Sequence, residues 1–242
     1  MKKRFSIVIT LIVILLFSMS VSSLAAPTTL TTDPFSAQEK ATFAEDTDLK
    51  KVKKVTRTKP FDCFDVNEKG EIAVLFTGSP EYAICVYNSD FKLKYAFTFK
   101  AEGVVACEWS GDDIMVYFSS DDVYAKINKK GKWTMLSHVQ DSVNNVKATS
   151  ELVYKNSSIT IGDTTYKAQN DLGLLNSFQP TRSYSQLVKL DENGNEAILF
   201  DVGSTQVLRT NLTVLFVILL ALGALYNLLK ELSKKAKKKE LE

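Results

Sequence analysis

His138 is the only histidine in the chain, so the side chain most used for proton transfer near neutral pH is almost absent. One histidine in a loop context supports no Ser-His-Asp or Cys-His arrangement. The stretch "GSP" at 78–80 is a turn, not a nucleophile elbow, and no spacing among the many carboxylates singles out an acid–base pair. The expectation is therefore a non-enzymatic protein with no catalytic residue and no bound cofactor. Cysteine is scarce too: Cys63, Cys85 and Cys107 are the only three, and their spacing matches no zinc site. None lies near the N-terminal apolar run, which argues against a bacterial lipid anchor.

An excess of positive charge is also missing once the chain ends are set aside. Lys2, Lys3 and Arg4 contribute +3 at the front. The tail from Lys230, with six Lys and three Glu, contributes another +3. The whole chain carries only +2, so the part between holds about −4. A slightly acidic domain has no electrostatic footprint for nucleic acid.

What is present at those ends is apolar. From Leu212 to Leu229 there is no charged residue, near the lower limit of about 18 for crossing a hydrocarbon core. Arg209 stands on one side and six lysines from Lys230 to Lys239 on the other, so a transmembrane helix over 210–229 is expected, with a short basic cytoplasmic tail at 230–242. At the other end, Lys2 to Arg4 precede an apolar run from Phe5 to Phe17. Ser23 and Ala25 then fit a small-x-small cleavage site. Residues 1–25 read as a signal peptide. The segment between is expected to be exported, anchored by one span in the cell membrane with its C-terminus inside. The abundance of lysine, with no glycosylation-rich stretch, suggests a bacterium.

Residues 26–60 read as a stalk. "APTTLTTDP" has no apolar period, and "SAQEKATFAEDTDLKKVKKV" offers a short helix with Phe43, Leu49 and Val52 as weak anchors. From Phe61 the pattern changes to period two, which predicts an all-β domain over 61–205. "FDCFDV", "EIAVLF", "YAICVYN" and "LKYAFTF" read as four strands of an antiparallel meander. The pattern then recurs after about 40 residues. "GEIAVLF" (Gly70–Phe76) matches "DDIMVYF" (Asp112–Phe118), and "CVYNSDFKLKYAF" (Cys85–Phe97) matches "AKINKKGKWTML" (Ala125–Leu136). In a looser third copy, "SELVYKN" (Ser150–Asn156) takes the second strand and "LVKLDENGNEAILF" (Leu187–Phe200) the third and fourth. Between them lies an insertion, 157–186, with its own hairpin signal in "ITIGDTTY".

Four strands per unit of this length resemble β-propeller blades of the NHL or TolB-like type. "DVNEKGEIAVLF", "VYNSDFKLKYAF" and "VKLDENGNEAILF" carry that resemblance, each joining two strands through a short polar turn. The resemblance implies about three four-stranded antiparallel blade-like sheets. Propellers have about four to eight blades, so three units imply a partial propeller or a sandwich-like arrangement. No functional residue carries over from it.

Several clusters invite a chemical reading. Asp112 and Asp113 lie at one end of a strand and Asp121 and Asp122 at the other, about 30 Å apart, too far to share a calcium ion. "DENGNE" (Asp191–Glu196) lacks the full ligand pattern of a calcium loop. No metal site is expected. Cys63 and Cys85 fall on alternate strands of one unit, about 9.6 Å apart, beyond the reach of a disulfide. Cys107 could meet either only through sheet packing, and the expectation is buried thiols acting as small hydrophobes. Trp109, Trp133 and Tyr184 could form a carbohydrate platform, though strand packing explains them more simply. The insertion is the better binding candidate. Leu172, Leu174, Leu175, Phe178 and Tyr184 would pack on the core or meet a partner.

The function expected from these features is a binding or scaffold module at the cell surface. Its sheet flanks would be covered by the stalk around Phe43 and Leu49 or the insertion around Leu172 to Phe178 folding back, or else by a protein partner or a second copy of the chain. An accessory subunit of a membrane protein complex is the alternative, and an exported hydrolase a weaker one.

Overall fold

The computed structural model describes residues 29–55, 58–78, 81–154, 157–170 and 183–239. The expected signal segment, 1–25, lies outside them, as do Leu172, Leu174, Leu175 and Phe178. Among the described residues the protein is all-β at its centre, with three antiparallel sheets and three helices.

The first meander is β3 (Phe61–Val66), β4 (Ile72–Phe76), β5 (Glu81–Tyr87) and β6 (Leu93–Lys100), with β2 (Lys50–Val52) added beside β6. The second is β7 (Val105–Ser110), β8 (Asp113–Phe118), β9 (Val123–Ile127) and β10 (Trp133–Val139), with β1 (Thr32–Pro34) added beside β10. The third is β11 (Ser158–Ile161), β12 (Thr164–Gln169), β13 (Gln186–Leu190) and β14 (Glu196–Asp201). Helix α1 (Ala37–Thr47) joins the two added strands, α2 (Val143–Val153) links the second and third sheets, and α3 (Gly203–Lys239) follows β14.

One turn design closes four of the hairpins. Asn67, Asn88, Asn128 and Asp191 each accept, through a side-chain oxygen, the backbone N–H groups two and four residues on, at 2.8–3.2 Å. Asn and Asp make this bond because their short side chains reach their own backbone. The residue three on takes the left-handed region: Gly70, Gly131 and Gly194 in three turns and Phe91, at φ 58°, in the fourth. Phe91 is held there by stacking on Tyr87, with centroids 4.1 Å apart. These turns are the polar joints that mark the repeat in the sequence.

The sheets are layered with the first in the middle. Along β4, Ala73 and Leu75 face the second sheet, where they join Cys107, Ile114, Val116 and Phe118. Ile72, Val74 and Phe76 face the third, where they meet Tyr166, Leu187 and Phe200. A strand buried on both faces has no polar side, which is why "IAVLF" is an unbroken apolar run. The far face of the second sheet, with Met115, Tyr117 and Tyr124, is covered by Leu152 of α2.

The segment expected to be a stalk is part of the domain. β1 and β2 pair along the outer edges of two sheets, and Phe43 and Leu49 pack on the core between them. Covering an edge removes a row of unpaired backbone groups. The first two sheets thus have five strands, not four. The third repeat also differs. Ser150 to Val153, expected as a strand, is the last turn of α2. Ser142 caps that helix by accepting the Asn145 N–H, and Asn145 and Leu152, two helical turns apart, form its buried side. The hairpin read as an insertion supplies β11 and β12, the first two strands of the third sheet.

Helix α3 is continuous for 37 residues. Among the described residues no helix is long and apolar enough to cross a membrane. The side chains of 210, 224, 225 and 227–229, within the expected span, lie outside the described residues.

Candidate functional site

A groove of about 1050 Å³ lies beside α1 in the described structure. It begins with a helix start encoded locally. Ser36 accepts the Glu39 N–H through Oγ at 3.3 Å, and the Ser36 N–H donates to Glu39 Oε2 at 2.7 Å. This reciprocal capping box satisfies two donors that a helix start otherwise leaves open. At the other end Asp48 turns left-handed at φ 46° and takes Lys50 at 2.5 Å and Lys100 at 3.5 Å. The hydrogen bond from Lys50 holds the Asp48 carboxyl below its ordinary value.

Aromatic rings dock the helix. Phe43 meets Phe35, Phe118 and Trp133 edge-on at centroid distances of 5.8, 5.2 and 5.6 Å. The Trp133 indole N–H donates to Thr47 Oγ1 at 3.2 Å, so its one polar atom is satisfied as the ring is half-buried. Phe35, Phe43, Phe118 and Val123 form the apolar floor of the groove. Glu39, Asp46, Glu102 and Asp121 stand on its rim, against Lys100 and His138. The rim is therefore acidic on balance.

Among the described residues, His138 pairs with the Glu39 carboxylate. His138 Nε2 lies 3.3 Å from Glu39 Oε1, and the imidazole lies over the Phe35 ring with centroids 4.3 Å apart. The hydrogen bonds from Ser36, and then that from His138, hold the Glu39 carboxyl below its ordinary value. In a serine triad the histidine stands between hydroxyl and carboxylate. Here the carboxylate stands between, and the Ser36 hydroxyl is spent on the helix cap. The arrangement ties the start of α1 to β10.

The other candidates separate. Asp112 pairs with Lys69 at 2.6 Å, and that hydrogen bond holds its carboxyl low. Asp122 accepts the Tyr117 hydroxyl at 2.8 Å; burial and this bond push that phenol up to about 12. In "DENGNE", Asp191 serves the hairpin turn. Among the described residues no group of three His, Cys, Asp or Glu is placed to hold a metal ion. Trp109 and Trp133 belong to the core between the first two sheets and Tyr184 to the core on the opposite side, so the three make no common platform. Tyr184 bridges to Phe61 through the backbone and packs its ring 5.7 Å away.

Sequence reading placed no site at the groove. "SAQE" is a capping-box signature and could have marked the start of α1. The rim residues come from four separate stretches of chain, and no local signal joins them.

These features define an all-β protein of three antiparallel sheets with a helix-bordered, acid-rimmed groove. Compared with known proteins, the sequence matches no family model and no curated protein.

Proposed function

We propose that this is an exported, membrane-anchored, non-enzymatic binding protein that uses the groove beside α1 to hold a basic segment of a protein partner. The observation that carries the anchoring is the state of α3. From Val214 to Leu220 every side chain is apolar and exposed, on all sides of the helix. A surface helix of a soluble domain buries one stripe, whereas a helix apolar all round belongs in lipid or a protein interior. The charge-free stretch Leu212–Leu229 and the lysines after it support a single span with the β domain outside. Three meanders whose first strands, β3, β7 and β11, lie side by side support a partial propeller of the NHL or TolB-like kind. In this arc the third unit has come to lie beside the first rather than the second.

The occupant follows from the groove itself. An apolar floor under a mostly acidic rim suits a short chain segment carrying Lys or Arg together with aliphatic side chains. Its volume of about 1050 Å³ stands at the top of the range for small-molecule sites, about 1,000 Å³, and leaves room for several residues of an extended chain.

Two experiments test the two halves. A membrane-impermeant thiol reagent on sealed cells should label Asn193→Cys and spare Lys238→Cys; labelling at Lys238→Cys ends the anchored, outward-facing reading. For the groove, a fluorescent eight-residue peptide of alternating Lys and Leu should bind the purified protein better than its Glu counterpart. The double variant Glu102→Lys, Asp121→Lys should reverse that preference while leaving the α1 cap intact. Equal binding of both peptides, or indifference to the variant, refutes the groove as the site.

A further inference from the structure

Cys63 on β3 and Cys107 on β7 belong to different sheets, 44 residues apart, yet their sulfurs lie 3.5 Å from each other in the described structure. Both residues are buried, at 8% and 1% exposure. We infer that they are a disulfide pair, and that the bond closes between the first and second sheets once the domain meets an oxidising exterior.

Three features favour this pair over any other. The first is register. Two residues further along the same strands, the Trp109 N–H donates to Asp65 Oδ2 at 2.7 Å and the Trp109 indole N–H donates to the Asp65 carbonyl at 3.3 Å. Those bonds fix β3 against β7 at the same 44-residue offset, so the sulfurs do not meet by a chance rotamer. The second is orientation. The Cys107 backbone N–H donates to the Cys63 sulfur at 3.4 Å, which holds that sulfur over β7. The third is exclusion of the remaining thiol. Cys85 lies on β5, two strands from Cys63, and faces the third sheet, whereas Cys63 and Cys107 both face the seam between the first and second.

A disulfide needs its sulfurs about 2.05 Å apart, so the strands and side chains must close by about 1.5 Å. The chemistry is thiol–disulfide exchange with an exported protein disulfide or a small-molecule disulfide as oxidant. One Cys thiolate attacks a sulfur of that disulfide, forms a mixed disulfide and expels a thiolate. The second Cys thiolate then attacks the first Cys sulfur and expels the other thiolate. The two protein protons leave, and the two electrons pass to the oxidant, which ends as two thiols. Since both sulfurs are buried, exchange takes place while the two sheets are still closing on each other.

The presence of an oxidant in the cell rests on the export reading, but the pairing itself does not, and the experiment separates them. The full-length protein is denatured, reduced and refolded in detergent in a buffer of oxidised and reduced glutathione. It is then alkylated and digested without reduction for mass spectrometry. The expected result is a single peptide link, Cys63 to Cys107, with Cys85 alkylated. Cys85→Ala should form the same link, and Cys63→Ala or Cys107→Ala should form none. A link through Cys85, or three alkylated cysteines in refolded protein under oxidising conditions, overturns the inference. The same digest on protein alkylated inside cells reads the compartment. A link in the refolded protein that is missing in the cells upholds the pair and counts against export.

Discussion

The first and third sheets are built from the same meander and the same Asx-type turn, yet they sit in different physical surroundings. In the first, β4 is buried along its whole length, with Leu75 turned to the second sheet and Val74 to the third. In the third, one face meets the first sheet through Tyr166 and Leu187, while Ile198 on β14 is 60% exposed. The first sheet is thus the shared wall of two cores, and the third is a cover on one of them. A repeat in sequence need not be a repeat in energetics, because burial belongs to the layer and not to the unit.

The widest gap between the two should appear on truncating side chains. Leu75→Ala removes a fully buried side chain and should cost about 2–5 kcal/mol, whereas Ile198→Ala should stay within about 0.5 kcal/mol. Urea denaturation of the full-length protein in detergent measures both. Comparable losses would mean that the third sheet is packed on both faces and that the layering is wrong.

Next in size is the covalent tie between the first two sheets. Closing the Cys63–Cys107 bond across 44 residues should add about 4 kcal/mol, seen as a rise in melting temperature that a reductant reverses. Amide exchange in β11 to β14 should be unchanged if the third sheet opens independently, and protection spreading there would erase the contrast.

A smaller effect compares two turns of one design. Gly131, at φ 76°, lies where an added Cβ would come within 3.1 Å of Lys51 Cβ and 3.2 Å of the Phe97 ring. Gly194, at φ 77°, has nothing within 4 Å. Gly194→Ala should cost about 1 kcal/mol for the left-handed backbone alone. Gly131→Ala should cost about 2 kcal/mol, because crowding is added to strain. Equal thermal shifts would show that the turn at Gly131 stands clear of the first sheet.

The smallest difference is in acid. Burial raises the Glu71 carboxyl, but hydrogen bonds from Lys94 and Asn67 more than offset this and leave it below its ordinary 4.5. A carboxyl depressed in the folded state stabilises fully above its unfolded value, and that stability is lost as pH falls below 4.5 through the folded value. Asp191 in the third sheet is depressed by hydrogen bonds from Asn195, but it is exposed and screened by water. Thermal melts between pH 6 and pH 3 should therefore show an acid loss that Glu71→Gln flattens and Asp191→Asn barely changes. The reverse ranking would place the buried ionic contact in the wrong sheet.

Much of this fold is legible along the chain because its signals are local. Asn67, Asn88, Asn128 and Asp191 reach only their own turns, so the hairpins and their repeat can be read residue by residue. Period two in β3 to β10 fixes which side chains share a face. The edge strands β1 and β2 could not be read that way: at three residues each they carry no period, and they exist through pairing with β10 and β6. "SELVYKN" offers an alternating look, but its helix depends on the cap at Ser142, eight residues before it. The groove shows nothing locally, since docking of α1 is what brings Glu39, Glu102, Asp121 and His138 to one rim.

Strand, turn and helix-cap chemistry was therefore settled by neighbours in the chain, within reach of a single side chain. Which sheet became the middle wall was settled only when the layers met. "IAVLF" states that both faces of β4 must leave water, and nothing in those five residues says what will cover each. Apolar burial is non-directional, so the choice of partner falls to shape and register across the seam, here held by Asp65 against Trp109 and by Cys63 against Cys107.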